Sequence, residues 1–301
     1  MLVKLRGKSL SVKELEKISL ILKSYKLKIG LGILLSLIII SFLEPIITRC
    51  VLGDMDPLAP GTFEKFLSPS MEHLLGTDHY GRDYFILVLM GLKNSLLVGF
   101  LGALLSTLIA TLVAFSSGYK GGLFDTIMNS VTNSMLILPT WVILASIVLY
   151  VRGIDIFAVS LLVALFIWPG SARSLRAQVL SLKNKPYVDL AIVSGESDIE
   201  IIFKELLPNL TPFIMFRFSS LIIGAIFFEV SLRVIGIGAS EYISLGLLIN
   251  WFLTRGAIGA GYYHIVFPPI VLLILIFSSI NLINAGLDEI FNPRLKKVTG
   301  E

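Results

Sequence analysis

Apolar runs of about twenty residues, separated by short polar stretches, recur along almost the whole chain. At a rise of about 1.5 Å per residue, a helix needs about 20 such residues to cross the hydrocarbon core of a bilayer. Buried in lipid, a run of that length can pair its own backbone donors and acceptors only as a helix or in a closed barrel. A barrel would show short segments of alternating hydropathy, and none is visible. With 55% hydrophobic and 15% charged residues, the composition suits a chain whose solvent is the membrane. The fold class read from this is all-α, a polytopic membrane protein.

Six spans are predicted: Ile29 to Ile47, Ser95 to Gly118, Ile127 to Tyr150, Ile154 to Trp168, Leu210 to Ile235 and Ile265 to Leu287. They divide the chain into an N-terminal segment 1–28, a first helix 29–47, a segment 48–94, a core 95–288 containing a long loop 169–209, and a tail 289–301. The first run follows a basic stretch, as signal peptides do. Glu44 and Pro45 near its end, and the lack of a small-residue cleavage site, predict a retained helix instead. Pro139 removes one backbone hydrogen bond inside the third span and predicts a kink. Gly99, Gly102, Ala103 and Ala110 on the second span permit close helix approach, equally within this chain or against another. Cys50 is the only cysteine, so no intrachain disulfide can form.

Lysine and arginine set the expected orientation. Lys4, Arg6, Lys8, Lys13, Lys17, Lys23, Lys26 and Lys28 precede the first span; Arg173, Arg176, Lys183 and Lys185 follow the fourth; Arg294, Lys296 and Lys297 follow the sixth. Both termini and the loop 169–209 are therefore expected in the cytoplasm. The segment 48–94, with Asp54, Asp56, Glu64, Glu72, Asp78 and Asp83, is expected outside. The formal net charge of +4 is explained by this asymmetry, and no nucleic-acid partner is expected.

The loop from Trp168 to Asn209 is too long and too regular for a plain connector. Val188 to Ser194 has helical composition, Gly195 supplies a flexible or positive-φ stop, and Ser197 is placed to cap a second helix from Asp198 to Leu206. Pro208 then begins the approach to the fifth span. Nothing in the chain matches Gly-x-x-x-x-Gly-Lys-Ser/Thr, so no phosphate-cradling loop of its own is evident.

Tyr187-Val188-Asp189-Leu190-Ala191, then Gly195, then Leu207-Pro208-Asn209 resembles the loop signature of binding-protein-dependent ABC importer permeases: Glu-Ala-Ala, three residues, Gly, then an apolar residue and Leu-Pro. Four further stretches resemble the C-type permease of dipeptide, oligopeptide and nickel importers. They are LGTDHYGRD from Leu75 to Asp83, GYKGGLFD from Gly118 to Asp125, GAIFFEVSLRVIGIG from Gly224 to Gly238, and FNPRL from Phe291 to Leu295. Asp189 stands where that family has Glu, Leu190 where it has Ala, and Glu205 where it is often basic or His. The paired prolines common after the Gly-Leu-Gly segment are missing between Gly238 and His264.

The resemblance implies a type I importer permease fold and a non-catalytic subunit in a plasma or inner membrane. Its partners would be a second homologous permease, two ATPase subunits carrying ATP and Mg, and an extracytoplasmic solute-binding protein. It implies no cofactor or metal on this chain, and a loop whose coupling helix seats in a groove of the ATPase. Asp189 would meet basic groups there while Leu190, Ala191 and Ile192 fill an apolar slot. Di- or oligopeptides are the first expectation for the solute. Oligosaccharide or nickel import remains an alternative, and an ion-coupled secondary transporter is a more distant one.

Charges inside a bilayer usually face protein or a water-filled path. Arg217, Glu229 and Arg233 on the fifth span are therefore candidates for the translocation route, with snorkelling as the competing account for the two arginines. In the external motif formed by Gly76, Thr77, Asp78, Gly81, Arg82 and Asp83, the histidines His73 and His79 do not show metal-ligand spacing. The plainer reading has Thr77 or Asp78 cap a helix that continues through Arg82 and Asp83. The topology is testable with impermeant labels: positions 183–186 and Glu301 should react only from the cytoplasmic side and Glu64 only from outside. Labelling of Glu64 and Lys183 from the same side would break the six-span arrangement.

Overall fold

The structure is a computed structural model that describes residues 3–5, 8–10, 24–150, 155–238 and 242–291. Arg6, Lys13, Lys17, Lys23, Ile154, the three basic residues of the tail and most of the FNPRL stretch lie outside the described residues. A three-residue antiparallel ladder pairs β1 (Val3–Leu5) with β2 (Lys8–Leu10). Everything else with regular structure among the described residues is helical: α1 (Tyr25–Leu52), α2 (Tyr84–Lys120), α3 (Gly122–Ile137), α4 (Thr140–Tyr150), α5 (Ile156–Lys183), α6 (Pro186–Val193), α7 (Asp198–Ile201), α8 (Leu207–Val234), α9 (Leu245–Thr254) and α10 (Tyr263–Phe291). Among the described residues five helices are long and apolar enough to cross a membrane, and α3 with α4 makes a sixth span if the bent pair counts as one.

The spans are longer than hydropathy suggests. α1 begins at Tyr25 and ends at Leu52, α2 starts at Tyr84 inside the segment 48–94, and α5 continues through Pro169 to Lys183. A hydropathy window sees only the part that lipid requires to be apolar. The N-terminal extension of α2 is closed by Asp83, whose Oδ1 accepts from the Ile86 amide at 3.1 Å; Asp155 caps the start of α5 in the same way, accepting from the Ala158 amide at 2.8 Å. The third span is broken more sharply than a kink, with α3 and α4 inclined by 79°. Leu138, forced out of the α region by the proline that follows it, is extended at φ −62, ψ 136. A short helix in the stretch between Gly238 and His264, α9, was not foreseen; Ser244 caps it at the Leu247 amide.

The chain divides into two compact units, 1–37 with 274–301, and 38–273. In the first, the start of α1 lies against the end of α10. A Cβ at Gly30 would fall 2.6 Å from the Ser279 carbonyl oxygen, and one at Gly286 would fall 2.6 Å from Leu27 Cβ. Ser24 Oγ donates to Glu289 at 2.9 Å, and Lys26 pairs with the same carboxylate.

In the second unit α2 is the central helix and packs along α5 and α8. Small residues are what allow the contact: a Cβ at Gly99 would meet Ile226 Cγ1 at 2.5 Å, and one at Gly102 would meet Ala225 Cβ at 3.1 Å. Ala103 and Ala110 are fully buried beside them. Of the two packings left open by the sequence, this stripe therefore serves the one within the chain. Ser106 Oγ donates to the Ala164 carbonyl at 3.1 Å, joining α2 to α5. The buried charge of α1, Glu44, accepts from Lys93 Nζ of α2 at 2.9 Å, the pairing that a charge in lipid requires. The packing predicts that Gly102→Leu lowers stability by about 1–3 kcal/mol through overpacking. Gly32→Leu, where an added Cβ meets nothing within 4 Å, should be close to neutral. Thermal unfolding of the purified protein in detergent measures both, and equal midpoints would contradict the packing.

Candidate functional site

The loop between α5 and α8 is helix, glycine turn, helix. α6 starts with Pro186 at its first position, where the missing N–H costs nothing. It ends in a Schellman arrangement: the Glu196 amide donates to the Ala191 carbonyl at 3.2 Å and the Gly195 amide to the Ile192 carbonyl at 3.0 Å. That closure puts Gly195 at φ +82, the left-handed region where a Cβ is penalised. Ser197 then opens α7 with a capping box, its hydroxyl accepting from the Glu200 amide and Glu200 accepting from the Ser197 amide at 3.0 Å. One π turn, Ile202–Leu206, links α7 to α8, so the helix runs on from Asp198 to Val234. Leu207 and Pro208 are the first residues of α8. A proline at 208 would clash with the Lys204 carbonyl in α geometry, and the wider π turn relieves this.

The two faces of the loop differ in chemistry. Val188 and Ala191, three residues apart, point inward and are 0% and 6% exposed. They pack with Phe115 and Tyr119 of α2, Val179 of α5, and Ile201, Leu206 and Leu210. Tyr187 packs half-buried against the same cluster; burial and then the Glu205 carboxylate push its hydroxyl above the ordinary range. Leu190 at 67% and Val193 at 85% exposure point outward, with Ile192, Ile199, Phe203 and Asp189 exposed beside them. Ala191 thus faces the chain's own core and does not join Leu190 and Ile192 on the outer surface. Val193, Ile199 and Phe203 were missed; the i, i+4 spacing of the last two on one helix was the available signal.

The three charges of α8 do not form one cluster. Arg217 and Glu229 are twelve residues apart, about 18 Å along the helix. Arg217 donates from Nη2 and Nε to Ser171 Oγ of α5 at 3.1 and 3.3 Å. Glu229 and Arg233 are buried, with Nε of one 3.4 Å from Oε1 of the other across one turn. The guanidinium lies 4.3 Å over the Tyr242 ring, and a Cβ added at Gly238, where φ is +116, would fall 3.4 Å from it.

At the opposite end of α2 the stretch from Leu75 to Asp83 is a turn, not a helix. Two positive-φ glycines, Gly76 at +70 and Gly81 at +74, exclude one, and a Cβ at either would fall 2.1 Å from a carbonyl oxygen, of Leu67 or Phe63. Thr77 donates to the Glu64 carbonyl at 2.6 Å and accepts from the Leu67 amide at 2.9 Å. Asp78 Oδ1 accepts from the Tyr80 and Arg82 amides at 2.8 and 2.9 Å, and Oδ2 accepts from the Arg82 guanidinium. The helix cap expected at Thr77 or Asp78 is instead Asp83, whose second oxygen lies 2.8 Å from His73 Nδ1.

The Arg82 guanidinium is held between the rings of Tyr80 and Trp251, at 4.8 and 4.6 Å. His79 stacks edge-on against Trp251 at 5.4 Å. Burial pushes its imidazole down to about 4, Asp78 opposing and Arg255, Arg82 and Lys65 adding to the shift, so it is neutral at physiological pH. The motif therefore clamps α9 beside the start of α2, a role for Trp251 that its place in a loop did not suggest.

Residues 106–297, more than half of the chain, match the family of binding-protein-dependent transport system inner membrane components. Among its relatives, the probable peptide ABC transporter permease protein y4tQ of Sinorhizobium fredii is 33% identical over 246 residues, 80% of this chain and 82% of that protein. The dipeptide transport system permease protein DppC of Bacillus subtilis is 33% identical over 279 residues, 92% and 84% of the two chains. The oligopeptide transport system permease protein OppC of Haemophilus influenzae is 33% identical over 235 residues, 75% and 73%. On the helical spans, the glycine-elbow loop and the extent of this match, the chain belongs to the family of binding-protein-dependent transport system inner membrane components.

Proposed function

We propose that this chain is one of two permease subunits in an ATP-driven importer of di- or oligopeptides, and that α6 and α7 dock on a separate ATPase. The observation that carries this reading is the outer face of the loop: Leu190, Ile192, Val193, Ile199 and Phe203 exposed together with Asp189 on a base packed to α2 and α5. An apolar patch of this kind outside the bilayer costs solubility unless a partner covers it. The base is built to move as one body with the spans, so closing the nucleotide sites would tilt the helices that the loop joins.

The partners in this reading are a second homologous permease, two ATPases that bind ATP and Mg, and an extracytoplasmic binding protein that delivers the solute. The names of the relatives favour peptides over oligosaccharides or nickel. Both termini and the loop lie in the cytoplasm, the side on which ATP is available. Glu229 and Arg233 act in this account as an internal pair that holds the external end of α8 against the segment around Tyr242. Arg217 ties α8 to α5.

Asp189→Lys and Leu190→Asp should each weaken ATPase attachment at least about tenfold, the equivalent of about 1.4 kcal/mol. Gly195→Pro should do the same by forbidding φ +82. All three leave the spans inserted, because the loop lies outside the bilayer. Co-purification of the complex and uptake of labelled dialanine into vesicles measure the effect; wild-type ATPase attachment in Leu190→Asp would refute the docking face. For the buried pair, Glu229→Gln alone should lower the thermal midpoint more than Glu229→Gln combined with Arg233→Gln. Breaking one side of a buried pair costs about 3–5 kcal/mol, whereas removing both charges leaves nothing unpaired. Additive losses would contradict the pairing.

A further inference from the structure

Tyr119 occupies the last turn of α2 and is buried among residues of α2, α5, α6 and the start of α8. Its hydroxyl emerges from that cluster and donates to Asp198 Oδ1 at 3.3 Å. Asp198 is the first residue of the helix that runs on to Val234. The other end of Tyr119 is gripped as well: Lys183, the last residue of α5, donates to its carbonyl oxygen and lies 5.3 Å over its ring. The preceding residue, Gly118, touches Val179 so closely that a Cβ would sit 3.0 Å from Val179 Cγ1. Just beyond, Arg176 forks onto Asp125 with both contacts at 2.6 Å, fixing the start of α3 to α5. One side chain therefore joins the ends of α2 and α5 to the first residue of the helix that carries the second half of the docking face.

We propose that Tyr119 is a positioning residue for coupling, its hydroxyl latching Asp198 so that displacement of the loop is passed to α2. The ring and the hydroxyl have separable tasks. The ring fills the apolar cluster and serves folding, while the hydroxyl reaches out of it to a carboxylate at a helix start, where negative charge is favoured. At 3.3 Å the bond is of ordinary strength but has a defined direction, which suits a link that passes on movement. Without it, α7 would still pack through Ile201 but its first turn would be free to slide against α2. The latch rests on the docking reading given above.

Tyr119→Phe removes the hydroxyl and keeps the ring. In the complete complex, reconstituted with its binding protein and dialanine as the probe solute, it should leave ATPase attachment, basal hydrolysis and the thermal midpoint at wild-type values. The stimulation of hydrolysis by the binding protein should fall roughly three- to tenfold, the range expected for one hydrogen bond of ordinary strength. Asp198→Ala should fall equally, the double variant should be no worse than either single one, and Asp198→Asn, which can still accept the bond, should recover most of the loss. Wild-type stimulation in Tyr119→Phe, or additive losses in the double variant, would overturn the latch. Leu190→Asp in the same preparation separates the two ideas. If it detaches the ATPase while Tyr119→Phe stays at wild-type stimulation, only the latch falls; if it leaves the ATPase attached, the docking reading falls and the latch with it.

Discussion

In a bilayer every main-chain donor and acceptor has to be paired within its own helix, and that confines irregular backbone to the ends of spans. The consequences run through this protein. Side chains close the first turns of the spanning helices, Asp83 for α2 and Asp155 for α5. Positive-φ glycines fall in the turns: Gly76 and Gly81 before α2, Gly195 in the loop after α5. α2 meets α5 and α8 by close approach at Gly99, Gly102, Ala103 and Ala110, with Ser106 adding one hydrogen bond to α5.

The two ends of α2 use opposite chemistry on that common frame. Around Tyr84 the contacts are polar and enclosed: Arg82 is sandwiched by Tyr80 and Trp251, Asp78 is saturated, and Tyr84 donates to the Ile265 carbonyl at 2.7 Å. Around Tyr119 the inner surface is closed but the outer surface is left apolar and open. The closed lobe is fully packed, whereas the open apolar face is the surface on which the proposed docking rests. An importer that draws its energy from a separate ATPase needs such a surface on the side where ATP is found.

Much of this was legible in the sequence because it depends on local rules. Spans follow from apolar length, the elbow from Gly195, the cap from Ser197, and a bend in the third span from Pro139. What was not legible depends on contacts between distant residues. The inward turn of Ala191 is set by α2 and α5 packing beneath it, and nothing in its neighbours in the chain specifies that. Trp251 belongs to a helix of ten residues inside a presumed loop, too short to stand out by hydropathy. The shift of the helix cap from Thr77 or Asp78 to Asp83 follows from two glycines whose backbones are pinned by Leu67 and Phe63, residues about ten or more positions away. Burial in lipid and burial in protein leave the same trace in a sequence, so the contact of Arg233 with the Tyr242 ring could not be read from either residue.

The central claim is that the outer face of the α6–α7 loop is the contact with the ATPase, and facing of side chains tests it most directly. Cys50 is the only cysteine and is exposed, so a Cys50→Ser background gives a clean starting point. Single cysteines would be placed at Val188, Leu190, Ala191 and Val193, and a short bifunctional reagent applied to the assembled complex in membranes. The account predicts cross-links to the ATPase from positions 190 and 193 and none from 188 and 191. No cross-link from 190 and 193, or equal yields from all four, would contradict it.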